Sequence, residues 1–142
     1  TTSTAPEIDE RLEELDANRS ELMVSLIWNT KEDLDLSITC PGGGRVYHAR
    51  KTKKLNNCGL LDIDANVKTA PDKITERPIE HILLEQSLGT FEIAVRSQRG
   101  PFNDASGSST SFVIEVNDFG KITKFNGKIK PGGKPSKFTL VR

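Results

Sequence analysis

The stretch LMVSLIWNTKEDLDLSITCPGGG, residues 22–44, decides the fold. Leu22, Val24, Leu26 and Trp28 fall on every second position, and Leu34, Leu36 and Ile38 alternate with Asp33, Asp35 and Ser37. A period of two places successive side chains on opposite faces of an extended chain, so each run predicts a strand with one apolar face. Residues 29–32 form the turn between the two strands, and Cys40-Pro41-Gly42-Gly43-Gly44 ends the second.

The same period recurs along the chain. Residues 46–48 predict a third strand ahead of the basic loop 50–54, and GLLDID, residues 59–64, a fourth. A loop containing Pro71 and Pro78 leads to the apolar stretch 79–84, after which GTFEIAVR, residues 89–96, alternates Phe91, Ile93 and Val95. Residues 100–109 are rich in Gly, Ser, Asn and Asp and read as loop. Phe112, Ile114 and Val116, then residues 122–125, then Phe138 and Leu140 supply three more strands. About nine short strands separated by turn-rich loops predict an all-β fold, an antiparallel β-sandwich of jelly-roll type. The expected core is Trp28, Leu34, Leu36, Ile38, Phe91, Ile93, Val95, Phe112, Ile114 and Phe138. Upstream, EIDERLEELDANR, residues 7–19, places Ile8, Leu12 and Leu15 on one helical stripe and predicts one short α-helix. Residues 1–20 are thus read as linker and helix, and 21–142 as the sandwich domain. The narrow stripe suits a helix that caps the domain, or one that continues an upstream coiled coil and lets chains self-associate.

With 142 residues the chain has room for a single core. Twenty basic residues balance twenty acidic ones, so no global field steers the chain toward nucleic acid. No apolar run approaches the roughly 18 residues of a membrane span, and residues 1–6 lack the basic and apolar regions of a signal peptide. Because the chain does not start with methionine, it reads as a mature form or an excised piece, with an anchor expected upstream if there is one. Charge is unevenly placed: from Gly120 to Arg142 there are six lysines and no acid, and Arg45, Arg50, Lys51, Lys53 and Lys54 form a second basic stretch. Such runs suit anionic polymers or lipid head groups, but lysines on terminal strands also keep a sheet edge from pairing. Aromatic residues are not interleaved for base stacking, so no nucleic acid is expected.

Catalytic motifs are missing from the sequence: H-E-x-x-H, C-x-x-C, G-x-S-x-G and G-x-G-x-x-G do not occur. The stretch from Gly127 to Lys134 departs from phosphate-loop spacing by one residue and lies between strands, away from any helix N-terminus. Only His48 and His81 could serve as a base. His81, in an apolar stretch, is read as a structural imidazole, and His48 as a surface strand residue. A Cys58–His48 nucleophilic pair competes with a disulfide between Cys40 and Cys58, which the even cysteine count and the positions at a strand end and a strand start favour. The alternative is two buried free thiols, as in a cytoplasmic protein.

Taken in order, LIWNTKEDLDLSITCPGG, CGLLDIDAN, RPIEHILLEQSLGTFEIAV and SFVIEVNDFGKITKFNGKI resemble a largely uncharacterised bacterial domain family of the YfaP type, over about residues 22–141. That family's pattern has a Trp strand, a D-L-D-L-H-V strand ending near C-P, a C-G-G-x-L-D-V-D-x-N segment, a P-V-E-N-I segment and a G-x-Y-x-V-x-V strand. Trp28, Asp33, Asp35, Cys40, Cys58, Asp62, Asp64, Asn66, Pro78, Glu80 and Gly89 stand where the pattern wants them. Ser37, Leu60, His81 and Phe91 replace its His, second Gly, Asn and Tyr. The resemblance implies an envelope protein, since similar domains often follow a membrane segment and a coiled coil, and hence a periplasmic or extracellular location.

The remaining site signal is acidic. Asp33 and Asp35 project from one face of their strand, and Asp62 and Asp64 from one face of theirs. If the two strands are neighbours, four carboxylates converge, and with Asn66 and backbone carbonyls they could supply the six to eight oxygens that Ca²⁺ prefers. The plainer alternative is that Asp35 and Asp64 accept backbone N–H bonds in turns while Asp33 and Asp62 face water. The sequence therefore predicts a non-catalytic recognition or assembly module for a protein partner or envelope polymer. Its rival is a calcium-stabilised accessory domain resembling the prepeptidase and collagen-binding modules of secreted enzymes. A third reading is an unrecognised hydrolase.

Overall fold

The computed structural model describes residues 5–15, 22–30, 33–47, 58–63, 78–85, 88–98, 109–130 and 132–142. Among these residues the elements are α1 (Ala5–Glu14), β1 (Leu22–Trp28), β2 (Asp33–Thr39), β3 (Arg45–Val46), β4 (Gly59–Ile63), β5 (Ile79–Leu84), β6 (Thr90–Gln98), β7 (Thr110–Asp118), β8 (Lys121–Ile129) and β9 (Ser136–Val141). They form a β-sandwich: a five-stranded sheet ordered β4-β5-β1-β7-β8 faces a four-stranded sheet ordered β3-β2-β6-β9. Every pairing is antiparallel. The hairpin partners β2–β3, β4–β5 and β7–β8 stay within one sheet, whereas the link 29–32 carries the chain from one sheet to the other.

Register explains the core. In the five-stranded sheet Val24 lies between Ile82 and Val116, and Leu26 between Glu80 and Ile114. In the four-stranded sheet Leu36 opposes Val95 and Ile38 opposes Ile93. Directly opposed residues share a face, so these side chains point into the sandwich together and form one buried cluster with Trp28, Leu34, Phe91 and Phe112. Nine of the ten residues expected in the core belong to this cluster; the tenth, Phe138, is partly buried against it, in contact with Phe125 and edge-on to Phe112. Gly127 has to be glycine, because a Cβ there would occupy the space of the Phe112 ring across the β7–β8 ladder.

The outer face of the five-stranded sheet is covered by the helix. Ile8 and Leu12 pack with Ile27, Ile79 and Val113 into a second apolar cluster, while Leu15 is exposed. The helical stripe is therefore used against its own domain. Its anchor is Arg11, which is 1% exposed and donates from Nη1 to the carbonyls of Trp28 (3.0 Å) and Pro78 (2.6 Å) and from Nη2 to Asn29 Oδ1 (2.6 Å). One guanidinium thus ties the helix to the end of β1 and to the residue before β5. Expected boundaries shift in several places: the strand expected at 122–125 runs Lys121–Ile129 and so takes in Gly127, expected between strands, and the strand expected at 89–96 runs Thr90–Gln98. The helix runs Ala5–Glu14, while residues 16–20 lie outside the described set, and the third strand is Arg45–Val46 where residues 46–48 were expected. The start of that strand is set by a turn in which Gly43 adopts φ +90° and Gly44 O accepts the N–H of Cys40 at 2.8 Å, so that Thr39 pairs with Arg45 and Ile38 with Val46. No helix among the described residues is long and apolar enough to cross a membrane.

Candidate functional site

Of the expected acidic set, Asp33 and Asp35 lie in a carboxylate group whose third member is Glu80 rather than an aspartate of β4. β2 and β4 are not neighbours, since β2 belongs to the four-stranded sheet and β4 to the five-stranded one. The strand that meets β2 across the sandwich is β5, and its Glu80 completes a group in which one carboxylate oxygen each of Asp33, Asp35 and Glu80 lies within 4.8 Å of the others. All three residues are buried, Glu80 almost completely. Asp62 lies on β4 with its side chain outside the described set, and Asp64 and Asn66 lie outside the described residues altogether.

Glu80 reaches this position because it shares the inward face of β5 with Ile82 and Leu84. Its Oε1 accepts the backbone N–H of Leu36 at 2.8 Å. That N–H lies on the edge of β2 that β3 covers only as far as Ile38, so a carboxylate from the opposite sheet takes the place of the missing ladder bond. A buried carboxylate accepting a backbone N–H is well held. Three carboxylates this close repel one another when ionised and need donors or a cation beside them. The arrangement offers hard oxygen donors, the type Ca²⁺ takes, and no soft ligands.

The other sequence candidates are occupied by the fold. Cys40 and Cys58 form the expected disulfide, with Cα atoms 6.3 Å apart. It joins the end of β2 in one sheet to the start of β4 in the other. His81 is fully buried on the outward face of β5, where its Nδ1 shares a 2.8 Å hydrogen bond with Ser25 Oγ on the neighbouring strand. His48 lies outside the described residues. Glu115 is buried in the same cross-strand row as Ser25 and His81. An open groove of about 420 Å³ lies where β1, β7 and β8 end together, lined by Ile27, Trp28, Asn29, Ser111, Asn126 and Lys128 among others.

Sequence reasoning missed Glu80 and Arg11 as interior charges. Glu80 carried a signal, because it falls on the inward parity of an otherwise apolar strand. Arg11 falls three residues after Ile8 and four before Leu15, on the helical stripe itself, but a long cation at such a position is usually solvated. Compared with known proteins, the chain matches no family model, no curated protein and no solved structure.

Proposed function

We propose that this chain is a non-catalytic recognition or assembly module of a bacterial envelope-associated protein, working in the periplasm or outside the cell on a protein partner or an envelope polymer. The observation that carries this reading is the Cys40–Cys58 disulfide. Structural disulfides belong to oxidising compartments, and this one also engages the cysteine that a nucleophilic reading would need. The burial of the hydrogen-bonded Ser25–His81 pair supports the same conclusion, since a nucleophile and its base need access to substrate. The sequence resemblance to YfaP-type domains agrees with an envelope role, and a jelly-roll connectivity is part of that reading. The test places a photo-reactive amino acid at exposed positions, such as Glu92, Asn126 and Thr139, in protein exported to the periplasm of bacterial cells. Discrete adducts to one protein or to the envelope polymer are expected. Alkylatable thiols in the exported protein together with no adduct at any position would remove the proposal.

A second reading is favoured by the convergence of Asp33, Asp35 and Glu80: a calcium-stabilised accessory domain of a larger secreted protein. Ca²⁺ bound at a hundredfold excess over its dissociation constant would stabilise the fold by about 2.7 kcal/mol. Thermal unfolding in chelator and then in Ca²⁺ measures this directly. Equal melting in both, or a shift that survives Glu80→Gln with Asp35→Asn, would dismiss the metal.

A further inference from the structure

We propose that the outer edge of β8, which no strand among the described residues covers, is the binding surface and that its occupant is an extended, acidic polypeptide segment that pairs with β8 as an added strand; this rests on the recognition-module reading above. The four sheet edges are not alike. Among the described residues β3 covers two positions, β4 slips register between Leu61 and Ile63, and β9 has six residues entered through Pro135. Short length, irregular register, proline and lysines are the usual ways of blunting an edge. β8 has only the lysines, which repel a basic strand but not an acidic one: nine residues pair with β7 in unbroken register, from Asp118 opposite Lys121 to Thr110 opposite Ile129.

The hairpin fixes which backbone groups face outward. Phe119 and Gly120, at φ 53° and 90°, form a two-residue turn, and the pair flanking such a turn exchanges both its backbone hydrogen bonds. Lys121, Thr123, Phe125, Gly127 and Ile129 therefore bond to β7, while Ile122, Lys124, Asn126 and Lys128 direct N–H and C=O to the free edge. Lys121, Lys124 and Lys128 lie on this strand with Lys130 beyond it, and no acidic residue occurs from Phe119 to the chain end. A second copy of β8 would set lysines against lysines, whereas a glutamate- or aspartate-bearing strand meets opposite charge. On the inward side Phe125 and Phe138 are only partly buried, and a strand added to β8 would cover them. Strand addition of this kind takes affinity from main-chain bonds and selectivity from alternate side chains.

The experiment uses a fluorescein-labelled nonapeptide alternating glutamate and valine, with two controls: the lysine–valine counterpart, and a peptide of equal negative charge with proline at the valine positions. Anisotropy is expected to show binding of the first alone, and ¹H–¹⁵N spectra to show shifts centred on Ile122, Lys124, Asn126 and Lys128. Asn126→Pro removes one outward N–H without touching the β7 ladder and should weaken binding about tenfold at unchanged melting temperature. Lys124→Glu with Lys128→Glu, which preserves every backbone group, should abolish binding and serves if the proline variant does not fold. Equal binding of the proline-interrupted peptide, or shifts lying elsewhere, would overturn the inference. Photo-adducts mapping away from β8 would overturn it while leaving the module reading intact.

Discussion

Replacing Arg11 by methionine tests how the helix is held. Methionine keeps an unbranched apolar stem in contact with the sheet but removes the charge and with it the bonds to Trp28 O, Pro78 O and Asn29 Oδ1, two of them to main-chain carbonyls at β-strand ends. A hydrogen bond to a charged group contributes about 1.5–3 kcal/mol, and a buried acceptor left without its donor costs about 1–3 kcal/mol. Against this stands the relief of no longer burying a cation, which offsets part of the loss. The net expectation for Arg11→Met is a destabilisation of about 3 kcal/mol. For a chain of 142 residues the unfolding entropy at the midpoint is about 0.3 kcal/mol per kelvin, so melting should fall by about 10 °C. Urea unfolding gives the free energy and hydrogen exchange locates it, with the amides of α1 losing protection first. Asn29→Ala should cost about 1 kcal/mol in the wild type and nothing on the Arg11→Met background, because the two residues share one bond. Arg11→Lys should fall between the two, since an ammonium cannot fork to several acceptors at once. A loss below about 1 kcal/mol for Arg11→Met would show that apolar contacts of Ile8 and Leu12 hold the helix and that the guanidinium contributes little.

Three further outcomes follow from separate features. Cys40→Ser with Cys58→Ser should destabilise by about 3 kcal/mol on the chain-entropy account of a loop this long, and intact mass under non-reducing conditions should show no alkylatable thiol in the wild type. Phe119→Asn should stabilise by about 0.5 kcal/mol, because asparagine tolerates the left-handed backbone that Phe119 adopts at φ 53°; a loss instead would mean that its ring contact with Arg142 matters more. The paired hydrogen bonds from Arg142, at 2.8 and 2.9 Å, hold the Asp118 carboxyl below its usual range and raise the guanidinium further. The stability from this pair is therefore present above about pH 4, the unfolded value for aspartate, and is lost as pH falls through the lower folded value. Asp118→Asn should cost under about 1 kcal/mol at neutral pH, and its difference from wild type should vanish in acid and shrink in salt.

The sandwich was legible because single strands advertise their faces. Leu34, Leu36 and Ile38 alternating with Asp33, Asp35 and Ser37 define one apolar face whatever the neighbours are. Strand order was not legible: β1 pairs with β5 and β7, more than 50 residues away, and nothing local to residues 22–28 names those partners. One available signal concerned the second face of β1. Met23 and Ile27 make LMVSLIW nearly continuous in apolar residues, the mark of a strand covered on both sides, and the helix is what covers it. The acidic site was half legible for the same reason. Asp33 and Asp35 were visible as a pair, but their companion comes from the opposite sheet, and only the assembled sandwich brings Glu80 to Leu36.

The disulfide has a consequence for the chain's resistance to nicking. The eighteen-residue separation between Cys40 and Cys58 encloses Arg45, Arg50, Lys51, Lys53 and Lys54, the densest cluster of trypsin-type cleavage points in the sequence. A cut anywhere inside this ring leaves both fragments covalently joined, and each keeps strands of both sheets: β1 to β3 on one side of residues 50–54, β4 to β9 on the other. Neither fragment can diffuse away, and neither has a sandwich of its own. A nicked molecule would migrate as intact protein until reductant is added, so cleavage and loss of the fold become separate events.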